Sequence, residues 1–327
     1  MRFTDSLTFF IPLACPNPRP LHGKVVTLQP FMKSELSILI PVYNGDCRHQ
    51  VADLSRQAEA IDGLRYEIIV ADDGSSDRDC VELCREVEHI PHCRFIDRGV
   101  NSGRAAIRNF LAREARYEWL LFMDCDLHII NPNYLQNYLD DDSKESVVYG
   151  GCVAEGGGRN CLRYLYELQC QPQHTADERR KRPYMHFRTC NFLVRRDVIL
   201  AQPFDERFRH YGYEDVLWGK QLRQADIRIG HIENPIAYCQ YEANALFVSK
   251  TEEALRTLYL FREDLRGYSK LITFVENIHL SPVRWGIRLW HRLFGALERR
   301  NLCGSHPNLR VFKLYKLGYF MSIQDNH

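Results

Sequence analysis

Nearly continuous apolar runs alternate with amphipathic stretches from residue 36 onward. "LSILIPV" (36–42) reads as a strand covered on both faces of a parallel sheet, and "EIIVA" (67–71), "RFID" (94–97) and "WLLFMD" (119–124) repeat the form. Between the last two, "SGRAAIRNFLAREA" (102–115) places Ala105, Ala106, Phe110 and Leu111 near one helix face, with Arg104 and Arg108 four apart on another. This alternation predicts a βαβ series, and hence an α/β fold built on a parallel sheet with right-handed crossovers.

Further along, "GGCVAEGGGRN" reads as a strand running into a mobile glycine-rich loop, and "TCNFLVRRDVI" as a strand leading into a turn. "GYEDVLWGKQLRQAD" opens a helix after Gly212, with Glu214 and Asp215 in a first turn that favours acids through the helix dipole. The basic run Arg179–Arg182 reads as a solvated loop. "KTEEALRTLYLFRED" is an amphipathic helix, and "VRWGIRLWHRLFGALERR" sets Trp, Leu and Phe among Arg at helical spacing, which suits either packing on the preceding domain or contact with a membrane surface. From Arg284 onward eight Lys or Arg face Glu298 and Asp325, a local charge of about +6. Three regions follow: an extension over 1–33 that is disordered or an upstream mis-start, an α/β domain over 34–245, and a helical, basic region over 246–327.

The polar residues that close the strands share one edge. Asn44 follows the first strand, Asp72 and Asp73 the second, Asn101 lies beyond the third, and Asp124 and Asp126 end the fourth. Ligands of open α/β sheets bind at the carboxyl ends of the strands, so these groups converge on one cleft. Strand periodicity turns Asp124 and Asp126 to the same side. Two carboxylates aimed alike repel unless a cation joins them, and oxygen ligands suit Mg or Mn, which also grip phosphates.

Composition narrows the partners. The 327 residues are 45% hydrophobic and 26% charged, with a net charge of +1, so no global field favours nucleic acid. The twelve cysteines include no C-x-x-C pair and read as reduced thiols of a cytoplasmic protein. Cys80, Cys84, His89, His92 and Cys93 match no standard zinc spacing. No apolar run approaches the roughly 18–20 residues that span a bilayer, which leaves peripheral contact with the inner face of a membrane.

Five stretches, "LSILIPVYNGD", "IIVADDGSSD", "NSGRAAIRN", "WLLFMDCD" and "FRHYGYEDVLWGKQLRQAD", resemble in order the motifs of family 2 glycosyltransferases, inverting enzymes of the GT-A fold. The resemblance covers residues 35 to about 232. It implies a Rossmann-like, mixed but mainly parallel sheet flanked by helices, with a helical C-terminal extension. It also implies a nucleotide-sugar donor, commonly a UDP-sugar, a divalent metal (Mn or Mg), and a carbohydrate or lipid-linked acceptor whose hydroxyl is glycosylated with inversion. On the matching positions, Pro41, Tyr43 and Asn44 lie beside the nucleotide, Asp73 or Asp72 accepts a hydrogen bond from the base, and Asn101 and Arg108 approach the nucleotide and diphosphate. Asp124 faces ribose or metal, Asp126 binds the metal, Asn191 contacts the sugar, and Asp215 is the general base with Glu214 its acidic neighbour.

Two departures bear on this. The family's histidine metal ligand after an "N-P" pair is missing from "ENPIAYCQYEAN", leaving His231 or Tyr238 as substitutes, or waters and donor phosphates. The Q-x-x-R-W signature of processive synthases is absent, which favours one sugar per encounter. A dinucleotide oxidoreductase would need G-x-G-x-x-G in place of "IPVYNGDC", and an aspartyl phosphohydrolase would carry its D-x-D on the first strand. A non-catalytic nucleotide-sugar or carbohydrate binding protein is the remaining alternative, against which Asp215 argues.

Overall fold

In the computed structural model, which describes residues 33–323, the first apolar run becomes β1 (Glu35–Val42), buried without interruption from Leu36 to Ile40. The expectation for residues 1–31 lies outside the described residues. The chain continues through α1 (Arg48–Glu59), β2 (Arg65–Asp72), α2 (Arg78–Arg85), β3 (Cys93–Asp97), α3 (Arg104–Glu114) and β4 (Trp119–Met123). Then come β5 (His128–Ile129), α4 (Tyr134–Leu139), β6 (Val147–Tyr149), β7 (Cys152–Ala154), α5 (Leu162–Cys170), α6 (Ala176–Lys181) and β8 (Asn191–Arg195). After these follow α7 (Arg196–Ala201), α8 (Glu214–Gln224), β9 (Ile229–His231), β10 (Ile236–Tyr238), α9 (Asn244–Leu260), α10 (Lys270–Glu276), α11 (Ser281–Cys303) and α12 (Leu309–Ile323).

The main sheet has the order β3-β2-β1-β4-β8-β6-β9. Its first four strands are parallel, with Leu39 opposite Ile69 and Phe122. β8 runs antiparallel to both β4 and β6, so the sheet is mixed as the resemblance implies. A small second sheet, β5-β10-β7, lies beside the site.

Three local expectations are corrected. β8 passes directly into the helix α7 rather than into a turn. The run Arg179–Arg182 is mostly helical, and Arg179 is fully buried, donating to the carbonyls of Gly150, His174 and Ile232. Arg180, Lys181 and Arg182 are exposed, the first two pairing one turn back with Asp177 and Glu178. The polar side of α3 is also not a solvent face, since Arg108 is 1% exposed and points toward the site.

α9, the segment after it, α10 and α12 send Leu255, Leu258, Phe261, Leu265, Ile272, Phe320 and Met321 into the same hydrophobic core as the sheet. α11 packs on α9 and α12 through Gly295, Glu298 and Leu302, and turns Trp285, Trp290, Leu293 and Leu297 outward at 46–65% exposure.

Candidate functional site

The turn after β4 fixes the acidic pair, but not by strand alternation. β4 ends at Met123, so Asp124 and Asp126 lie in the following turn. Asp124 is clamped by two arginines one helical turn apart on α3: Arg104 Nη2 reaches Oδ2 at 2.6 Å and Arg108 Nη2 reaches Oδ1 at 2.7 Å. Burial alone would raise its pKa, yet the two guanidinium groups prevail and hold it below the usual carboxylate range. Asp126, half exposed, has only Arg163 at 4.0 Å, and burial together with the Asp124 charge raises its pKa. A cation beside Asp126 would relieve that repulsion.

α8 supplies the second acidic pair. Its buried side, Leu217, Trp218 and Leu222, is anchored by Trp218 Nε1 donating to the Gln202 carbonyl at 2.7 Å and by stacking on Phe204. The helix starts abruptly because Gly212 (φ 96°) and Tyr213 (φ 70°) both have left-handed backbone conformations. This turn separates two adjacent acids into different surroundings. Glu214 is buried, with Arg104 Nε at 3.0 Å and Arg108 Nη1 at 3.5 Å. Among the described residues Asp215 has no salt-bridge partner; Oδ1 accepts from its own helix, at Val216 N, 2.8 Å. Burial, then the Glu214 charge, push its pKa up to about 6.

Both acids line a cavity of about 310 Å³ together with Arg104, Asp124, Arg163, Arg188, Tyr238, Phe247 and Thr251 of α9, and Phe312 and Lys316 of α12. Sequence reading missed Arg163, Arg188 and Lys316, which no motif marks. Arg104 carried a signal, its spacing of four from Arg108.

Several expected ligand contacts are already taken by the protein. Asn191 is 0% exposed: its carbonyl accepts from the Tyr134 and Tyr138 hydroxyls and its amide donates to Gly151 and Asn234 carbonyls, so no atom is left for a sugar. Asp73 receives Arg98 Nη1, both Ser102 N and Oγ, and Gly103 N, which fills its acceptor positions while capping the entry to α3. Asp72 is fully buried and accepts from Ser75 N and Oγ. Asn44, at φ 51°, ties the β1 loop to Ser75, Ser76 and Asp77, and Asn101 accepts from Gly103 N. These residues shape the nucleotide edge by holding loops. Tyr43 remains free to meet a ligand at 50% exposure, and Pro41 is half-buried in β1.

The histidine question is also resolved in part. His231 is buried, its Nε2 3.1 Å from the Pro183 carbonyl and its ring against Tyr149, and burial then Arg179 lower its pKa to about 3. It does not line the cavity, whereas Tyr238 does, with Arg163 over its ring at 4.7 Å. Among the described residues no group of three or more His, Cys, Asp or Glu stands together as a metal cage. One free carboxylate still fits a divalent ion that takes its other ligands from phosphates and water.

Residues 37–201 match the family described as Glycosyl transferase family 2. The chondroitin synthase of Escherichia coli is 26% identical over 63% of this chain and 34% of its own length, and the hyaluronan synthase of Pasteurella multocida is 25% identical over 67% and 26%. The chain thus spans about a third or less of the length of these relatives. Among solved structures, the mannosyltransferase PcManGT from Pyrobaculum calidifontis, in complex with GDP-Man and Mn2+, superposes with a TM-score of 0.56 at 12% identity, covering 91% of this chain and 87% of that one. S. aureus TarS 1-349 in complex with UDP gives 0.50 at 16% identity, over 89% and 90%. These likenesses establish the GT-A fold, and the family match spans half the chain, from β1 through the D-x-D turn to α7: the protein belongs to glycosyl transferase family 2.

Proposed function

We propose that the chain transfers one sugar per encounter from a UDP-sugar to an acceptor hydroxyl, with inversion, in the synthesis of a polysaccharide or glycoconjugate. The observation that carries this reading is the division of labour between Glu214 and Asp215. Glu214 is neutralised by Arg104 and Arg108 and is a positioning residue, whereas Asp215 is an unpaired carboxylate in the cavity whose raised pKa gives it appreciable proton affinity near neutrality. Single displacement needs one such base: it takes the acceptor proton while the hydroxyl oxygen attacks the anomeric carbon and the bond to the diphosphate breaks. No protein nucleophile is required. Tyr43 and Pro41 would flank the nucleotide, and Arg104 and Arg108, through Asp124, would hold the turn that carries Asp126.

Asp126 would hold the Mg or Mn together with donor phosphates; when bound, the ion offsets the charge that grows on the leaving diphosphate. Structural relatives in complex with GDP-Man and Mn2+ or with UDP support this assignment. Nucleotide sugars screened by thermal shift, with and without Mn, test it: the donor stabilises by about 2.7 kcal/mol at a hundredfold excess over Kd. Asp126→Ala should remove the Mn-dependent part and the metal-stimulated turnover. Full activity in EDTA and in Asp126→Ala would overturn the metal assignment.

The outward apolar side of α11 favours one addition, contact of the C-terminal helices with an anionic membrane surface, which would bring the site to a lipid-linked acceptor.

A further inference from the structure

One cation lining the cavity has no acidic partner among the described residues. Lys316 of α12 lines the same cavity as Asp215, and its Nζ rests 4.7 Å from the centre of the Tyr166 ring and 4.6 Å from that of Phe312, both of which also line it. Among the described residues it makes no ion pair or hydrogen bond. Every other basic residue lining this cavity is committed: Arg104 to Asp124 and Glu214, Arg163 to Glu242 at 2.5 Å, and Arg188 to Glu167 at 2.9 Å. Burial depresses the pKa of Lys316 to about 8, as expected of an ammonium held on aromatic faces without a counter-ion. A half-buried charge of this kind is stabilised when a ligand brings an anion to it.

The position decides which ligand. Tyr43 and Asp126, assigned above to the donor, do not line this cavity, whereas Lys316, Phe312, Phe247 and Thr251 of α9 and α12 line it together with the base Asp215. We propose that this part of the cavity is an acceptor subsite for an anionic glycan, in which Lys316 pairs with a carboxylate or phosphate on the acceptor while the partly buried Tyr166 packs against its sugar ring. The inference rests on the glycosyl-transfer reading above and adds the acceptor's chemical class.

Calorimetry on the whole protein with UDP and Mn tests it, using three probes: 4-nitrophenyl glucuronide, 4-nitrophenyl glucoside 6-phosphate and neutral 4-nitrophenyl glucoside. The wild type should bind at least one anionic probe about tenfold or more tighter than the neutral one, the range expected of one charge-assisted contact. Which anionic probe wins tells a uronic acid from a sugar phosphate. Lys316→Met should abolish the preference and Lys316→Arg restore most of it, with UDP affinity unchanged in both. Equal binding of all three probes, equal weakening of all three in Lys316→Met, or no binding of either anionic probe at millimolar concentration overturns the subsite. A protein that binds no UDP would instead overturn the glycosyl-transfer reading, so the two failures are distinguishable.

Discussion

Adjacent acids with opposite surroundings make separable predictions at the level of single residues. Asp215→Asn keeps the shape of the side chain and removes its proton affinity, so turnover should fall about 10²- to 10⁴-fold with UDP-sugar affinity retained. Because burial and Glu214 raise Asp215 to about 6, kcat/KM should climb as pH rises through 6 and level off above it, a limb that Asp215→Asn loses. The same shift has a stability sign. A carboxyl whose folded pKa lies above its unfolded one binds more protons when folded, so it costs stability as pH rises from about 4 to about 6. At pH 7 Asp215→Asn should therefore be more stable than wild type, by about 1–3 kcal/mol, in urea titrations. Glu214→Gln inactive beside a fully active Asp215→Asn would reverse the assignment. Arg108→Met should act oppositely on stability, since it strips a buried partner from both Asp124 and Glu214; a loss of about 3–5 kcal/mol is expected. The roles at this scale were only partly legible. Asp215 and Glu214 could be paired from "GYEDV", but that Asn191, Asp72 and Asp73 spend their hydrogen bonds inside the protein depends on tyrosines, serines and loop amides distant in sequence.

At the level of elements, period-two and unbroken apolar runs located β1 to β4 to within two residues, because strands buried on both faces leave little freedom of pattern. Among the three-residue strands, β7 showed as the apolar start of "GGCVAEGGGRN", whereas β6, β9 and β10 carry no such signal, and tertiary pairing alone makes them strands. The turn into α8 was legible only as a glycine before an acidic helix start, and the structure shows why glycine is needed. Gly212 has φ 96°, and a Cβ there would meet the Ala254 Cβ of α9 at 2.9 Å. Gly212→Ala should thus strain the turn and push α8 from α9, lowering stability by about 1–3 kcal/mol. Turnover should fall further than that loss explains, since the turn sets the position of Asp215. Equal turnover per folded molecule, measured below the melting range, would show that the turn does not position the base.

At the scale of the whole molecule, α11 buries Leu302 against its neighbours yet leaves larger apolar residues outside. Its inward side carries Glu298, with His291 and Trp290 bonded to it, while Trp285, Leu293 and Leu297 face outward at 60–65% exposure. The sequence showed that this helix mixes Trp and Leu with Arg, but not which side the protein would cover, because packing on α9 and α12 chooses the face. Under the membrane contact proposed above, this apolar stripe is the contact site, and the net positive charge from Arg284 onward favours an anionic lipid surface as the occupant. The protein should float with phosphatidylglycerol vesicles at low salt, with the Trp285 and Trp290 fluorescence shifting to the blue, and bind more weakly as salt screens the Arg and Lys charges. Leu293→Glu with Leu297→Glu should abolish flotation while leaving UDP affinity intact, since neither residue reaches the cavity. If wild type instead ignores vesicles at every salt concentration and sediments as a dimer that this double variant splits, the stripe is a contact between two copies, and the acceptor reaches Asp215 from solution.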